Sequence, residues 1–265
     1  MTLRISRREA LSWALASGAL GCRSGTEPAP PPVAASAPAA SLDWGGLAVS
    51  HVTQLREDER GGIAVVLLHG YGASGTDLVP LAQALLQART RFILPRAPIQ
   101  LSGSGRAWWE MAVANRPRTV MDEPASGGGA PSPQLAFAFR AVQGVLRTAV
   151  QRYQPERLAI AGFSQGAMLA LDVALGAPPA VDRVALLSGA LLVDAAARLE
   201  APLTTRPAVF ISHGRDDQRL PFQGGERTVA ALTAASFSVK FRPFDGGHEI
   251  PEALMGDLAA FLLGA

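Results

Sequence analysis

Apolar residues along this chain fall into two kinds of run, and their alternation predicts the fold. Ile63-Ala64-Val65-Val66-Leu67-Leu68, Phe92-Ile93-Leu94-Pro95, Leu158-Ala159-Ile160-Ala161, Val184-Ala185-Leu186-Leu187-Ser188 and Ala208-Val209-Phe210-Ile211-Ser212 are short and almost unbroken. Strands of that kind are covered on both faces, as in a parallel sheet. Val239 to Phe244 reads as the last strand. Leu47 to Arg56 alternates like an edge strand, with His51 on its wet face. Longer segments with three-to-four spacing predict helices between the strands. One is capped by Thr76 or Asp77 and runs to about Arg89, with Pro80 in its first turn. Others cover Gln134 to Tyr153, the stretch from Ser164 to about Gly176, and Glu226 to Ala235, and Pro251 opens a C-terminal helix. Strands alternating with helices predict one α/β domain with a doubly wound, mostly parallel sheet, its active groups on loops at the strands' C-terminal ends. Residues 96–132 break the pattern, being aperiodic and rich in Gly, Pro and Ser. A connection that long is functional or disordered.

The first forty residues follow a different logic. Arg4, Arg7 and Arg8 precede the apolar stretch Ala10 to Leu20, and small residues follow at Gly21-Cys22. That is a secretory signal layout, too short for an ordinary transmembrane helix. Ser6-Arg7-Arg8-Glu9-Ala10-Leu11 resembles a twin-arginine export signal. Ala19-Leu20-Gly21-Cys22 resembles a lipobox, which makes Cys22 the expected lipid attachment point and the protein an envelope or periplasmic lipoprotein. Residues 23–41 are mostly Pro, Ala, Ser and Gly, a spacer that cannot bury enough apolar surface to order itself. The expected division is therefore signal 1–22, linker 23–41 and folded α/β domain 42–265.

At 265 residues and 48% hydrophobic content, the chain supports one sizeable core. Removing Arg4, Arg7, Arg8 and Glu9 from 24 basic and 22 acidic residues leaves the two signs equal. That balance argues against a nucleic-acid partner. Cys22 is the single cysteine, which excludes a disulfide framework and a cysteine-based metal site.

Candidate chemistry centres on Gly162-Phe163-Ser164-Gln165-Gly166, a Gly-x-Ser-x-Gly turn between a predicted strand and a predicted helix. Such a bend strains the serine and exposes its hydroxyl, and its glycines let strand and helix approach. The Gln165 N–H, at the helix start, points where an oxyanion would form. Ser164, an aspartate at 216 or 217, and His248 follow the chain order of α/β-hydrolases, each after a strand. A serine hydroxyl needs a base to take its proton, and the base needs a carboxylate to orient it. His69 and His213 each precede a glycine at a strand end, where a backbone-bonded structural role is expected. Turn geometry leaves Asp216 and Asp217 open.

Six separated motifs carry a resemblance. Leu67 to Gly72, Leu94 to Pro98, Arg106-Ala107-Trp108-Trp109-Glu110, Gly162 to Met168, His213-Gly214-Arg215-Asp216-Asp217 and Gly247 to Ile250 resemble the phospholipase/carboxylesterase family, which includes bacterial carboxylesterases and acyl-protein thioesterases. The resemblance implies the α/β-hydrolase fold, Ser164 as nucleophile, His248 as base and Asp217 as acid. It also implies an oxyanion hole from the Tyr71 and Gln165 N–H groups and no cofactor or metal. Trp108, Trp109 and Met168 are the expected lining of a substrate groove, with the plainer alternative that an indole plugs the core. Gln218-Arg219-Leu220-Pro221 and Glu110 depart from the family pattern, and an export signal is foreign to its mostly cytosolic members, which argues against intracellular palmitoylated proteins as substrates. The expected activity is a serine carboxylesterase acting on a small-molecule or lipid ester, or thioester. Hydrolysis of a peptide or polyester bond, or an inactive binding lipoprotein, are the rivals.

Overall fold

A computed structural model describes residues 44–111, 117–122, 132–176, 178–200, 202–203 and 205–264. The segments expected to be an export signal and a linker, with Cys22, lie outside the described residues, as do 112–116 and 123–131 of the aperiodic connection.

In chain order the elements are β1 (Val49–Thr53), β2 (Ile63–Leu68), α1 (Val79–Ala84), β3 (Thr90–Pro95), β4 (Ile99–Gln100), β5 (Arg106–Ala107), α2 (Pro133–Tyr153), β6 (Arg157–Phe163) and α3 (Gln165–Ala174). They continue with β7 (Arg183–Leu187), α4 (Val193–Leu199), β8 (Ala208–Gly214), α5 (Phe222–Ala234), β9 (Val239–Phe244), a 3₁₀ turn (Glu252–Leu254) and α6 (Met255–Leu263). Seven strands form one sheet in the order β1-β3-β2-β6-β7-β8-β9, while β4 and β5 pair separately. β1 runs antiparallel to β3, and the other neighbours in the large sheet are parallel. This is the α/β-hydrolase architecture. From β2 the chain moves outward to β3 and β1's side, then returns through α2 to place β6 on β2's other flank. The strand order reverses there, and open α/β sheets place their ligands at the C-terminal ends of the strands flanking such a point.

The unbroken apolar runs have the cause expected of them. Ala64, Val66 and Leu68 join one core with Leu146 of α2 and Leu169 of α3, while Val65 and Leu67 join a second with Ala82 of α1 and Leu258 of α6. Alternate residues thus serve opposite layers, and β2 has no solvent face. Ser132 caps α2 by accepting from the Leu135 N–H at 3.4 Å, Pro133 occupies its first turn, and Gln154 ends it in the left-handed region at φ 45°.

Several expectations need correction. α1 ends at Ala84 rather than near Arg89, and neither Thr76 nor Asp77 caps it, because Asp77 Oδ1 accepts from the Gly75 N–H at 3.1 Å and serves the preceding loop. The short α4 and the β4–β5 pair were not anticipated, since two-residue strands and a seven-residue helix carry too little periodicity. His51 is not on a wet face. Trp44 and Tyr153 pack around it, with ring centroids at 5.3 and 6.3 Å. Burial, with Arg91 and Arg152 nearby, lowers its pKa to about 4.

Candidate active site

Backbone sterics explain both glycines of the 162–166 turn. A Cβ at Gly162 would lie 2.3 Å from the Gly166 carbonyl, and one at Gly166 would lie 2.3 Å from Leu68 O and 2.5 Å from His69 O. Strand β6, helix α3 and the end of β2 therefore meet backbone to backbone. Ser164 takes φ 55° and ψ −118°, a region that costs a non-glycine residue about 1–3 kcal/mol. Its N–H is held by Leu187 O at 2.9 Å. The surrounding strands thus hold a conformation that the serine alone would leave.

The hydroxyl so presented lies 2.9 Å from His248 Nε2, and His248 Nδ1 lies 2.7 Å from Asp217 Oδ2. Three residues from three loops form one hydrogen-bonded series. The acid and base loops are joined directly: Arg215 and Asp216 donate N–H bonds to Phe244 O and Gly246 O at 2.9 and 3.0 Å. A Cβ at Gly214 would fall 2.2 Å from Gly247 O, so only glycine permits the contact. Ser188, at the end of β7, donates its hydroxyl to Glu249 O at 3.2 Å and anchors the residue after the base.

Geometry separates the two aspartates that turn chemistry left open. Asp216 is exposed, whereas Asp217 is buried and fully engaged. Its Oδ1 accepts from the Arg219 and Leu220 N–H groups at 2.9 and 3.0 Å. Its Oδ2 accepts from His248 and lies 3.3 Å from His213 Nε2. Burial pushes the carboxyl's pKa up, but the bonds from His213, His248 and the Leu220 N–H, with the nearby His248, hold it well below the usual carboxylate range.

On the other side of Ser164, a Cβ at Gly70 would lie 3.3 Å from Ser164 Cβ, which brings the His69–Tyr71 loop against the nucleophile. That loop is pinned from three directions. His69 Nδ1 donates to Gly70 O at 2.8 Å, and its Nε2 accepts from the Ala97 N–H at 3.0 Å. Trp108 Nε1 donates to His69 O at 2.9 Å. Gly72 N–H donates to Arg106 O, and Arg106 N–H to Ala73 O, at 2.8 and 2.9 Å. The Gln165 N–H, first in α3, has no intrahelical acceptor by position. Its side chain is committed elsewhere: Oε1 accepts from the Trp108 N–H and Nε2 donates to Trp109 O, both at 2.8 Å.

These contacts correct the groove assignment. Trp108 and Trp109 have 0% and 1% of their surface exposed, and Met168 has 4%. Neither indole walls a groove, and Met168 lies in the core beneath α3. The pair is a buried plug: the Trp108 ring packs 5.4 Å from His69 and its Nε1–H bonds the His69 carbonyl. Sequence reasoning also missed the Gln165 side chain, Ser188 and the contact of His213 with Asp217. For His213 the available signal was its four-residue spacing from the acid across a tight turn.

Fold and site together define an α/β-hydrolase with a Ser–His–Asp arrangement at the sheet's switch point. The chain belongs to the phospholipase/carboxylesterase family, whose model matches residues 52–263. It is similar to acyl-protein thioesterase 1 of Mycosarcoma maydis, 29% identical over 213 residues, covering 74% of this chain and 88% of that protein. A probable carboxylesterase, SOBER1-like, of Arabidopsis thaliana is 24% identical over 227 residues, with 81% and 83% covered. Among solved structures, esterase PE8 superposes with a TM-score of 0.67 at 27% identity, covering 82% of this chain and 97% of that one.

Proposed function

We propose that this protein is a serine carboxylesterase that hydrolyses small to medium acyl esters, and thioesters, through an acyl-enzyme on Ser164. The observation that carries this reading is the unbroken series from Ser164 Oγ through His248 to Asp217, at 2.9 and 2.7 Å. Ser164 Oγ attacks the carbonyl carbon while its proton passes to His248 Nε2. Asp217 holds the ring with Nδ1–H toward itself, leaving Nε2 free to accept, and stabilises the imidazolium that results. The carbonyl oxygen gains the negative charge and is received by the N–H groups of Gln165 and Tyr71. Collapse expels the alcohol or thiol, which takes the proton from Nε2. Water, deprotonated by the same nitrogen, then releases the acid and restores Ser164. Names of the relatives support ester and thioester bonds over peptide or polyester ones.

A fluorophosphonate probe tests the reading. The wild-type protein labels and Ser164→Ala does not, while a binding lipoprotein with no activated serine stays unlabelled in both forms.

The N-terminal sequence supports a second part of the proposal: export, with the domain held at a membrane by lipid on Cys22. Cys22→Ser then releases the protein from the membrane fraction or blocks its processing. A wild-type protein found wholly soluble contradicts the tether.

A further inference from the structure

One oxygen of Asp217 faces two imidazoles, and the base accounts for only one of them. His213 closes β8 with no exposed surface. Its Nε2 lies 2.8 Å from Leu220 O and 3.3 Å from Asp217 Oδ2. Both neighbours are acceptors, so Nε2 carries the hydrogen and divides it between them. Nδ1 is buried and has no partner among the described residues. A Cβ at Gly225 would lie 2.9 Å from that nitrogen, so the backbone of α5 closes the ring's other side. Phe222 meets the ring edge-on at 6.0 Å, with the Arg215 guanidinium 5.2 Å from the Phe222 centroid. The ionisable neighbours are therefore Asp217 in contact, His248 beyond it and Arg215 behind Phe222. A second proton on His213 would have no acceptor and would place a cation beside the one that forms on His248 during reaction. The surroundings thus engage a single ring hydrogen, the one on Nε2.

We propose that His213 is a positioning residue for the reaction: its Nε2–H fixes the Asp217 carboxylate and draws off part of its charge, so that His248 remains a neutral base at lower pH than a lone Asp–His pair would allow. The inference rests on the reading of Ser164, His248 and Asp217 as nucleophile, base and acid. Its geometry distinguishes it from simple loop closure. The Asp217–Leu220 turn is already closed by two N–H bonds to Oδ1, and His213 adds a bond to the oxygen that holds the base. Withdrawing a donor from a shared carboxylate oxygen strengthens the remaining bond to His248 and raises that ring's proton affinity.

The test compares His213→Leu, which removes the donor, with His213→Gln, whose amide nitrogen reaches the position of Nε2. His213→Asn, too short to reach, substitutes for the leucine variant if that fails to fold. Two readouts are taken on each: steady-state hydrolysis of a nitrophenyl ester across pH, and the titration midpoint of His248 by NMR of histidine-labelled protein. For loss of the donor, kcat falls about tenfold with KM within about twofold of wild type. The His248 midpoint, and with it the acid limb of kcat/KM, rises by about half a unit to one unit. His213→Gln returns both most of the way. An unchanged His248 midpoint in the leucine or asparagine variant, with activity lost only in proportion to folded protein, overturns the proposal. The NMR midpoint needs no turnover, so it decides the role of His213 even if Ser164→Ala retains activity and the enzymatic reading fails.

Discussion

His69-Gly70 and His213-Gly214 are the same dipeptide in the same setting, each closing a buried parallel strand, yet the two imidazoles do different work. Both nitrogens of His69 are satisfied by backbone, Nδ1 by Gly70 O and Nε2 by the Ala97 N–H. Burial lowers its pKa and leaves it neutral, a strut between the Tyr71 loop and the end of β3. His213 has one nitrogen without a partner among the described residues and the other turned toward Leu220 O and the Asp217 carboxylate. What a strand-end histidine does is decided by what the following loop offers it. His69 meets backbone alone, from Gly70 in its own loop and from Ala97 after β3. The loop after His213 places an aspartate four residues on, within a turn tight enough to return it to the ring.

The sharpest way to separate the two sides is through the acid. Asp217→Asn should lower kcat by on the order of 10⁴, because the amide no longer holds His248 in its working tautomer. Asp216→Asn, on an exposed carboxylate one residue away, should leave kcat within about twofold of wild type. Steady-state kinetics on one ester checks both, and a reversed order would move the acid to Asp216.

On the His69 side the losses should fall on stability. Trp108→Ala removes a fully buried indole that braces His69 O and should cost about 3–5 kcal/mol, with a melting temperature lower by several degrees. Its activity per folded molecule should fall equally on acetyl and octanoyl esters. A loss confined to the longer ester would restore Trp108 to a substrate groove. His69→Leu leaves the Ala97 N–H unpaired and should cost about 1–3 kcal/mol in chemical denaturation, with far less effect on kcat than Asp217→Asn.

The smallest effect concerns His51, a half-buried ring whose Nδ1 has no partner among the described residues. Its folded pKa of about 4 lies below the ordinary 6.5. The unfolded chain therefore binds the proton first as pH falls. Stability is fully present above about pH 6.5 and declines toward pH 4, by on the order of 2 kcal/mol. Asp172 works in the opposite sense: burial, only partly offset by Arg198, raises its pKa to about 6, so its protonation relieves the fold as pH falls. The difference between wild type and His51→Phe isolates the histidine. The variant should lose less stability between pH 7 and pH 4.5, and parallel curves would contradict the assignment.

Much of this was legible in the sequence because the chemistry lies at the ends of the strongest patterns. Ser164 and Asp217 each follow an apolar run continuous enough to read as a buried strand, His248 follows the more polar β9, and a parallel sheet sends such ends to one edge. The placement of Trp108 was not legible. Adjacent indoles on an aperiodic segment fit a groove wall and a core plug equally, and only the His69 carbonyl and the Gln165 amide choose between them. His51 failed for a related reason. Alternation assigns a residue to one side of a strand, but Trp44 and Tyr153 arrive from outside the window that alternation reads. The backbone bonds of His69 match the structural role expected of it, whereas the tie from His213 to the acid depended on a turn whose closure comes from its own backbone N–H groups.

The central claim is that an acyl group passes through Ser164. Intact-mass measurement of protein quenched during the first turnovers of a nitrophenyl ester tests it most directly. The account predicts a transient increase equal to one acyl group, mapped by peptide sequencing to Ser164 and absent in Ser164→Ala. An acyl group carried elsewhere, or a Ser164→Ala protein that hydrolyses the ester at the wild-type rate, would contradict it.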